Sequence, residues 1–172
     1  MKTLVRGMGW LTLLVGLVAC GAARADLTLD VLQNAEYGGI YPEPIQLMAG
    51  RYEGEPFVEG GASRPTVAFM EPYASGDLDG DGVNDAAVLL VESSGGSGSF
   101  VYLAAVLNRD GRPENVATLL LGDRAQVQSL TIEAGQIVAH MVTHGPDDPL
   151  CCPSQEVTQV YELQGSELAD VE

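Results

Sequence analysis

Seven apolar stretches of six to nine residues, rich in Val, Leu, Ile and Tyr, succeed one another along this chain at intervals of roughly ten residues, with a glycine in every gap between them. β-branched and aromatic side chains at that spacing suit a pleated, half-buried surface. The pattern predicts strands at Val67–Tyr73, Ala86–Glu92, Phe100–Asn108, Asn115–Leu121, Val127–Ile132, Gln136–Thr143 and Val157–Leu163. Arg109-Asp110-Gly111-Arg112 and Glu133-Ala134-Gly135-Gln136 predict hairpin connections, because Asp-Gly and Ala-Gly supply the positive-φ residue such turns need. Successive strands are then antiparallel, and the expected fold is mainly β: an antiparallel meander sheet, or a partly open barrel or sandwich.

Leu27, Val31, Leu32 and Ala35 fall on one helical face, which predicts a short N-terminal helix capping one end of the sheet. Ile45–Met48 and Arg51–Glu53 predict an early hairpin, while Gly54–Arg64 and Ser93–Ser99 read as surface loops. No internal repeat is visible.

Lys2 and Arg6 precede an apolar run from Met8 to Ala19 that is short for a membrane span, the pattern of a signal peptide. Ala23-Arg24-Ala25 fits cleavage before Asp26, giving a leader of residues 1–25 and a single β-rich domain of residues 26–172. Leu17-Val18-Ala19-Cys20 offers the alternative of a lipobox, with lipidation of Cys20 as the new first residue. An alanine-rich segment produces the first pattern by chance more readily than a cysteine produces the second.

From Asp26 onward five arginines and no lysine face 24 acidic residues, a formal charge of −19. Such a surface repels phosphate backbones and anionic headgroups, so no nucleic acid is expected as a partner, and a membrane only through acyl chains on Cys20. Without lysine, Schiff-base chemistry and a phosphate-loop lysine are excluded.

Four of those acidic residues fall at alternate or near-alternate positions in Asp77-Leu78-Asp79-Gly80-Asp81-Gly82-Val83-Asn84-Asp85. Calcium loops draw oxygens from positions one, three, five, seven through the backbone, and nine, here Asp77, Asp79, Asp81, the Val83 carbonyl and Asp85. Four carboxylates in one tight loop repel each other unless a cation intervenes. The segment resembles the FG-GAP repeat of integrin-type propellers over about a dozen residues, but a propeller needs several copies and one is present. An EF-hand would carry glutamate at its twelfth position, where this chain has Val88. The expectation is a strand–loop–strand calcium turn; the bland alternative is an Asp/Gly-rich hairpin loop that holds no metal.

A second constellation runs from His140 through His144 and Gly145-Pro146-Asp147-Asp148-Pro149 to Cys151-Cys152. Three readings stand: a vicinal disulfide formed after export, two reduced thiols, or a zinc or copper site from His144, Cys151 and Cys152 with His140. Adjacent cysteines on an extended chain point apart, which counts against the metal.

Catalytic templates are otherwise thin. Gly95-Gly96-Ser97-Gly98-Ser99 fails the nucleophile-elbow pattern at its last position, and no H-E-x-x-H or dinucleotide fingerprint is present. Asp147 and Asp148 read as a solvated turn and Asp123 with Arg124 as a surface ion pair. Trp10, the sole tryptophan, lies in the leader, which leaves Tyr52, Tyr73 and Tyr102 as the aromatic candidates for stacking on a sugar.

From Leu32-Gln33-Asn34-Ala35-Glu36-Tyr37 through the acidic loop and Tyr102–Asn108 to Gly145–Pro153, the chain resembles a group of uncharacterised exported bacterial proteins, and more loosely LppP/LprE-type lipoproteins. The resemblance implies export and a small β-rich domain, and brings no catalytic residues. The expected role is a calcium-stabilised binding or structural module of the bacterial envelope, acting on an envelope or extracellular ligand. A hydrolase using the acidic loop or the Gly145–Pro153 turn, and a transition-metal or redox protein using His140, His144, Cys151 and Cys152, are the rivals.

Overall fold

The computed structural model describes residues 25–171. Residues 1–24, with the apolar run expected to be a leader and Cys20, lie outside the described residues.

The chain is mainly β and antiparallel throughout. Helix α1 (Leu29–Gln33) opens it, its first turn held by the Thr28 Oγ1, which accepts the Val31 N–H at 3.3 Å. Strands β1 (Glu36–Tyr37) and β2 (Ile45–Gln46) pair with each other. Strands β3 (Arg51–Glu53), β4 (Thr66–Gly76), β5 (Asp85–Ser93), β6 (Phe100–Arg109) and β7 (Arg112–Asp123) form a five-stranded meander in sequence order. Strands β8 (Gln126–Glu133), β9 (Gln136–Thr143), β10 (Gln155–Gln164) and β11 (Glu167–Asp170) form a second meander of four. One of the sheets curls as a half-barrel.

All seven strands expected from the sequence are present, most of them a few residues longer. The two hairpins fall at the expected places, with Asp110, Gly111, Ala134 and Gly135 all at positive φ. Two expectations need correction. Ile45–Gln46 pairs with Glu36–Tyr37 and not with Arg51–Glu53; only a single bridge, Met48 to Arg51, remains of the early hairpin. The N-terminal helix does not cap an end of the sheet either. With β1 and β2 it packs against one face, where Leu32, Tyr37, Ile45 and Leu47 meet the apolar surface of β5 and β6.

That surface exists because β5 and β6 are apolar on both faces. Ala87, Leu89, Leu103 and Ala105 point toward the four-stranded sheet and meet Leu130, Ile137, Ala139, Met141 and Tyr161. Ala86, Val88, Leu90, Ala104 and Val106 point the other way, under the N-terminal segment. A strand buried on both faces reads as a continuous apolar run, and each fully buried Leu contributes on the order of 1.5–3 kcal/mol. The molecule thus has three layers, with β5 at the centre of the middle one.

At the end of β4 the two sheets come very close. The β4–β5 register slips between Met70 and Ala74, and Gly76 then lies so near β8 that a Cβ there would sit 2.7 Å from Ile132 Cγ2. The acidic loop starts at the next residue.

Candidate metal centre in the β4–β5 loop

Residues 77–84 connect β4 to β5, and Asp85 is the first residue of β5. Leu78 is buried in the core between the sheets and Val83 is also buried, so the loop is fastened at two points by its apolar residues. Gly80 and Gly82 take φ of +80° and +79°, which lets the chain reverse twice between the aspartates.

Each carboxylate is oriented by N–H donors. Asp77 accepts from the Gly80 N–H at 2.7 Å through Oδ1 and from the Gly82 N–H at 2.9 Å through Oδ2. Asp79 Oδ1 accepts the Asp81 N–H at 3.2 Å, and its Oδ2 lies 3.0 Å from Arg109 Nη1. Asp85 is 2 % exposed, and its two oxygens accept the N–H groups of Leu78 and Asn108, each at 2.8 Å. Burial pushes the Asp85 carboxyl above its ordinary range; the N–H bonds from Asn108 and Leu78 pull it back in part, and the charge of Asp79 adds to the rise.

One oxygen from each of Asp77, Asp79 and Asp85 lies within 4.8 Å of the others. Oxygens bound to one calcium at about 2.4 Å stand at most about 4.8 Å apart, so the three meet the geometric requirement for a common ion. A carboxylate oxygen has two lone pairs, and one accepted N–H leaves the other for a cation. Asp81 stands outside this triad. Its Oδ1 accepts the Val83 N–H at 2.8 Å, an Asx turn closed two residues on.

Arg109 is the site residue that sequence reading missed. Pairing of β5 with β6 carries the end of β6 past Asp85, and the Arg109 guanidinium there bridges Asp79 and, at 2.8 Å, Glu114. Both carboxylates raise its pKa further, Glu114 first. The only sequence signal was the position of Arg109 at a hairpin, which says nothing of a partner 30 residues away.

The second constellation does not converge in the same way. Among the described residues Asp77, Asp79 and Asp85 form the group whose ligand atoms gather, and His140, His144, Cys151 and Cys152 do not. Cys151 and Cys152 are exposed and joined in a vicinal disulfide. His140 is exposed on β9, with Nδ1 2.7 Å from Thr158 Oγ1 on β10. His144 lies just beyond β9, its Nε2 enclosed and without a hydrogen-bond partner. Asp148 orders the turn that follows by accepting the N–H groups of Gly145 and Ser154 and the Ser154 hydroxyl, at 2.7–2.8 Å. Those bonds, Gly145's first, hold its carboxyl below the usual range. Arg124 pairs with Asp123 as expected and also donates to the carbonyls of Leu150 and Ser97, tying three loops together.

No family model, curated protein or solved structure matches this chain.

The chemistry available at the acidic loop is therefore read from its geometry. Carboxylate oxygens alone, held by backbone donors, suit a hard cation and offer no thiolate or imidazole to a softer one. A cavity of about 330 Å³ beside the loop is lined by Asp77, Gly80, Ile132, Ala134 and Gly135. A separate one of about 420 Å³ lies between the end of β7 and the start of β10 and includes His144. The two share no residue, so neither joins the acidic loop to the Gly145–Pro153 turn, the arrangement that would favour the hydrolase reading.

Proposed function

We propose that this chain is an exported or lipid-anchored protein of the bacterial envelope, working as a binding or structural module whose fold is stabilised by calcium in the β4–β5 loop. The observation that carries the reading is the convergence of Asp77, Asp79 and Asp85 within 4.8 Å at the point where the two sheets meet. Asp77, Asp79 and Asp85 would hold the ion, which would supply positive charge to a loop whose ion-pair partner among the described residues is Arg109. Extracellular calcium fills even sites with dissociation constants of about 10⁻⁴–10⁻³ M, so an exported chain has the ion at hand. An ion at the start of β5 ties that central strand to the end of β4 and, through Asp85 and the Asn108 N–H, to β6.

Thermal unfolding in a chelator and in excess calcium tests this reading. At a concentration 100 times the dissociation constant, bound calcium adds about 2.7 kcal/mol, and at about 2–4 °C per kcal/mol the Tm rises by about 5–11 °C. Asp77→Asn and Asp79→Asn should each remove most of that rise. Identical melting curves with and without calcium would rule the site out.

A further inference from the structure

Glu92 lies near the far end of β5 from Asp85, about 24 Å away at 3.4 Å per residue. It is 5 % exposed, a carboxylate buried on the face covered by the N-terminal segment. Among the described residues no arginine or histidine pairs with it. Its Oε1 accepts the Tyr41 hydroxyl at 3.0 Å and the Ser94 hydroxyl; Oε2 receives no hydrogen bond from the described residues.

Strand register gathers tyrosines around it. Tyr52 pairs with Val67 and Val67 with Glu92, so the three side chains share one row and one face, and Tyr102 pairs with Leu90 on that same face. The rings of Tyr41 and Tyr52 lie 6.3 Å apart, inclined at 46°. They line a cavity of about 240 Å³ together with Pro42, Pro44, Pro65 and the exposed Glu43. Burial, then the bond to Glu92 and its charge, hold the Tyr41 phenol well above its ordinary range, so the ring stays neutral and keeps donating.

These features point to one ligand class. Two aromatic faces attract a cation through their quadrupoles, and a phenol that donates to a carboxylate is more electron-rich and attracts it more strongly. Three prolines favour alkyl groups over water. The single buried carboxylate falls far short of the six to eight oxygens that calcium takes, and with Glu43 nearby an anion is disfavoured. We propose that this pocket binds small organic ammonium ions, the charged nitrogen resting on the Tyr41 and Tyr52 rings and its alkyl groups against Pro42, Pro44 and Pro65. Glu92 acts from behind Tyr41 as a positioning residue. The site stands independently of calcium in the β4–β5 loop.

The test is NMR of the tyrosine ring resonances during titration of the purified full chain with choline and, separately, butylammonium, against sodium chloride at matched ionic strength. The expected result is a saturable shift of the Tyr41 and Tyr52 signals with either ammonium ion and none with sodium. Choline reports a site that reads charge and methyl groups; butylammonium binding more tightly than choline adds N–H donation to a pocket oxygen. Tyr52→Leu, on the short outer strand β3, should weaken binding about tenfold while leaving the calcium-dependent Tm unchanged. Tyr41→Phe, which keeps the ring and loses the bond, should weaken it by about threefold, and Glu92→Gln, which keeps an acceptor and loses the charge behind Tyr41, by no more than that. Should Glu92→Gln fail to fold, Tyr52→Leu and Tyr41→Phe carry the test. Shifts no larger than those with sodium, or a Tyr52→Leu variant that binds as tightly as the parent, would overturn the proposal.

Discussion

Asp85 gives the acidic loop its sharpest test, because its two roles separate in a single variant. Asp85→Ala removes the acceptor of two buried backbone N–H groups, those of Leu78 and Asn108, each bonded at 2.8 Å. A buried donor left without a partner costs about 1–3 kcal/mol, so the two together cost about 2–6 kcal/mol. Removing a buried charge returns part of that, which places the net loss at about 2–4 kcal/mol. At about 2–4 °C per kcal/mol the Tm should fall by about 4–16 °C. The measurement is calorimetry of parent and variant in metal-free buffer, where no ion contributes, followed by the same pair in excess calcium. The gap should widen with calcium, because the variant also lacks one of the three gathered carboxylates. A Tm within about 2 °C of the parent in metal-free buffer would refute the claim that Asp85 anchors the ends of β4 and β6 to β5.

The pH dependence follows from the same residue. Its folded pKa is raised, so its contribution in metal-free buffer is full below the unfolded value of about 3.9 and is lost as pH rises through the folded value. The stability difference between parent and Asp85→Asn should therefore shift against the parent as pH rises from about 4, and the calcium-dependent gain in Tm should grow over that same interval as the ion replaces the proton. A calcium effect that is constant across it would contradict the assignment. Gly76→Ala probes the close approach of the two sheets: the added Cβ would meet Ile132 at 2.7–2.8 Å. One of the two strands must shift, at a cost of about 1–3 kcal/mol measured by denaturant unfolding, and an unchanged midpoint would show the contact to be slack.

Strand positions were legible because their signals are local. Alternating or continuous apolar residues set β4 to β10, and Asp-Gly and Ala-Gly set two of the turns within four residues. The short elements were less legible. Strand β11, Glu167-Leu168-Ala169-Asp170, has one buried residue and too little pattern to distinguish it from a tail. Strand β1 has two residues and owes its existence to Tyr37, whose hydroxyl donates to the Leu32 carbonyl at 2.9 Å while its ring fills the layer above β5. At the acidic loop, the Asp and Gly spacing marked the segment in which three carboxylates gather, those of Asp77, Asp79 and Asp85, while the ligand template also named Asp81 and the Val83 carbonyl. Asp81 accepts the Val83 N–H, as Asp79 accepts the Asp81 N–H, and the spacing of the aspartates does not say which of these oxygens come together in space.

By itself the sequence determined that this chain forms antiparallel strands joined by glycine turns, with one acidic loop between two of them, because those properties depend on side chains a few residues apart. The tertiary structure alone decided that β5 is covered on both faces, that Asp85 is buried with two N–H donors, that Arg109 reaches Asp79 and that Tyr41 donates to Glu92. The last two contacts join residues 30 and 51 positions apart. Such contacts are set by strand register and by which apolar face covers which, and a one-residue slip in pairing would send every one of these side chains to the opposite face.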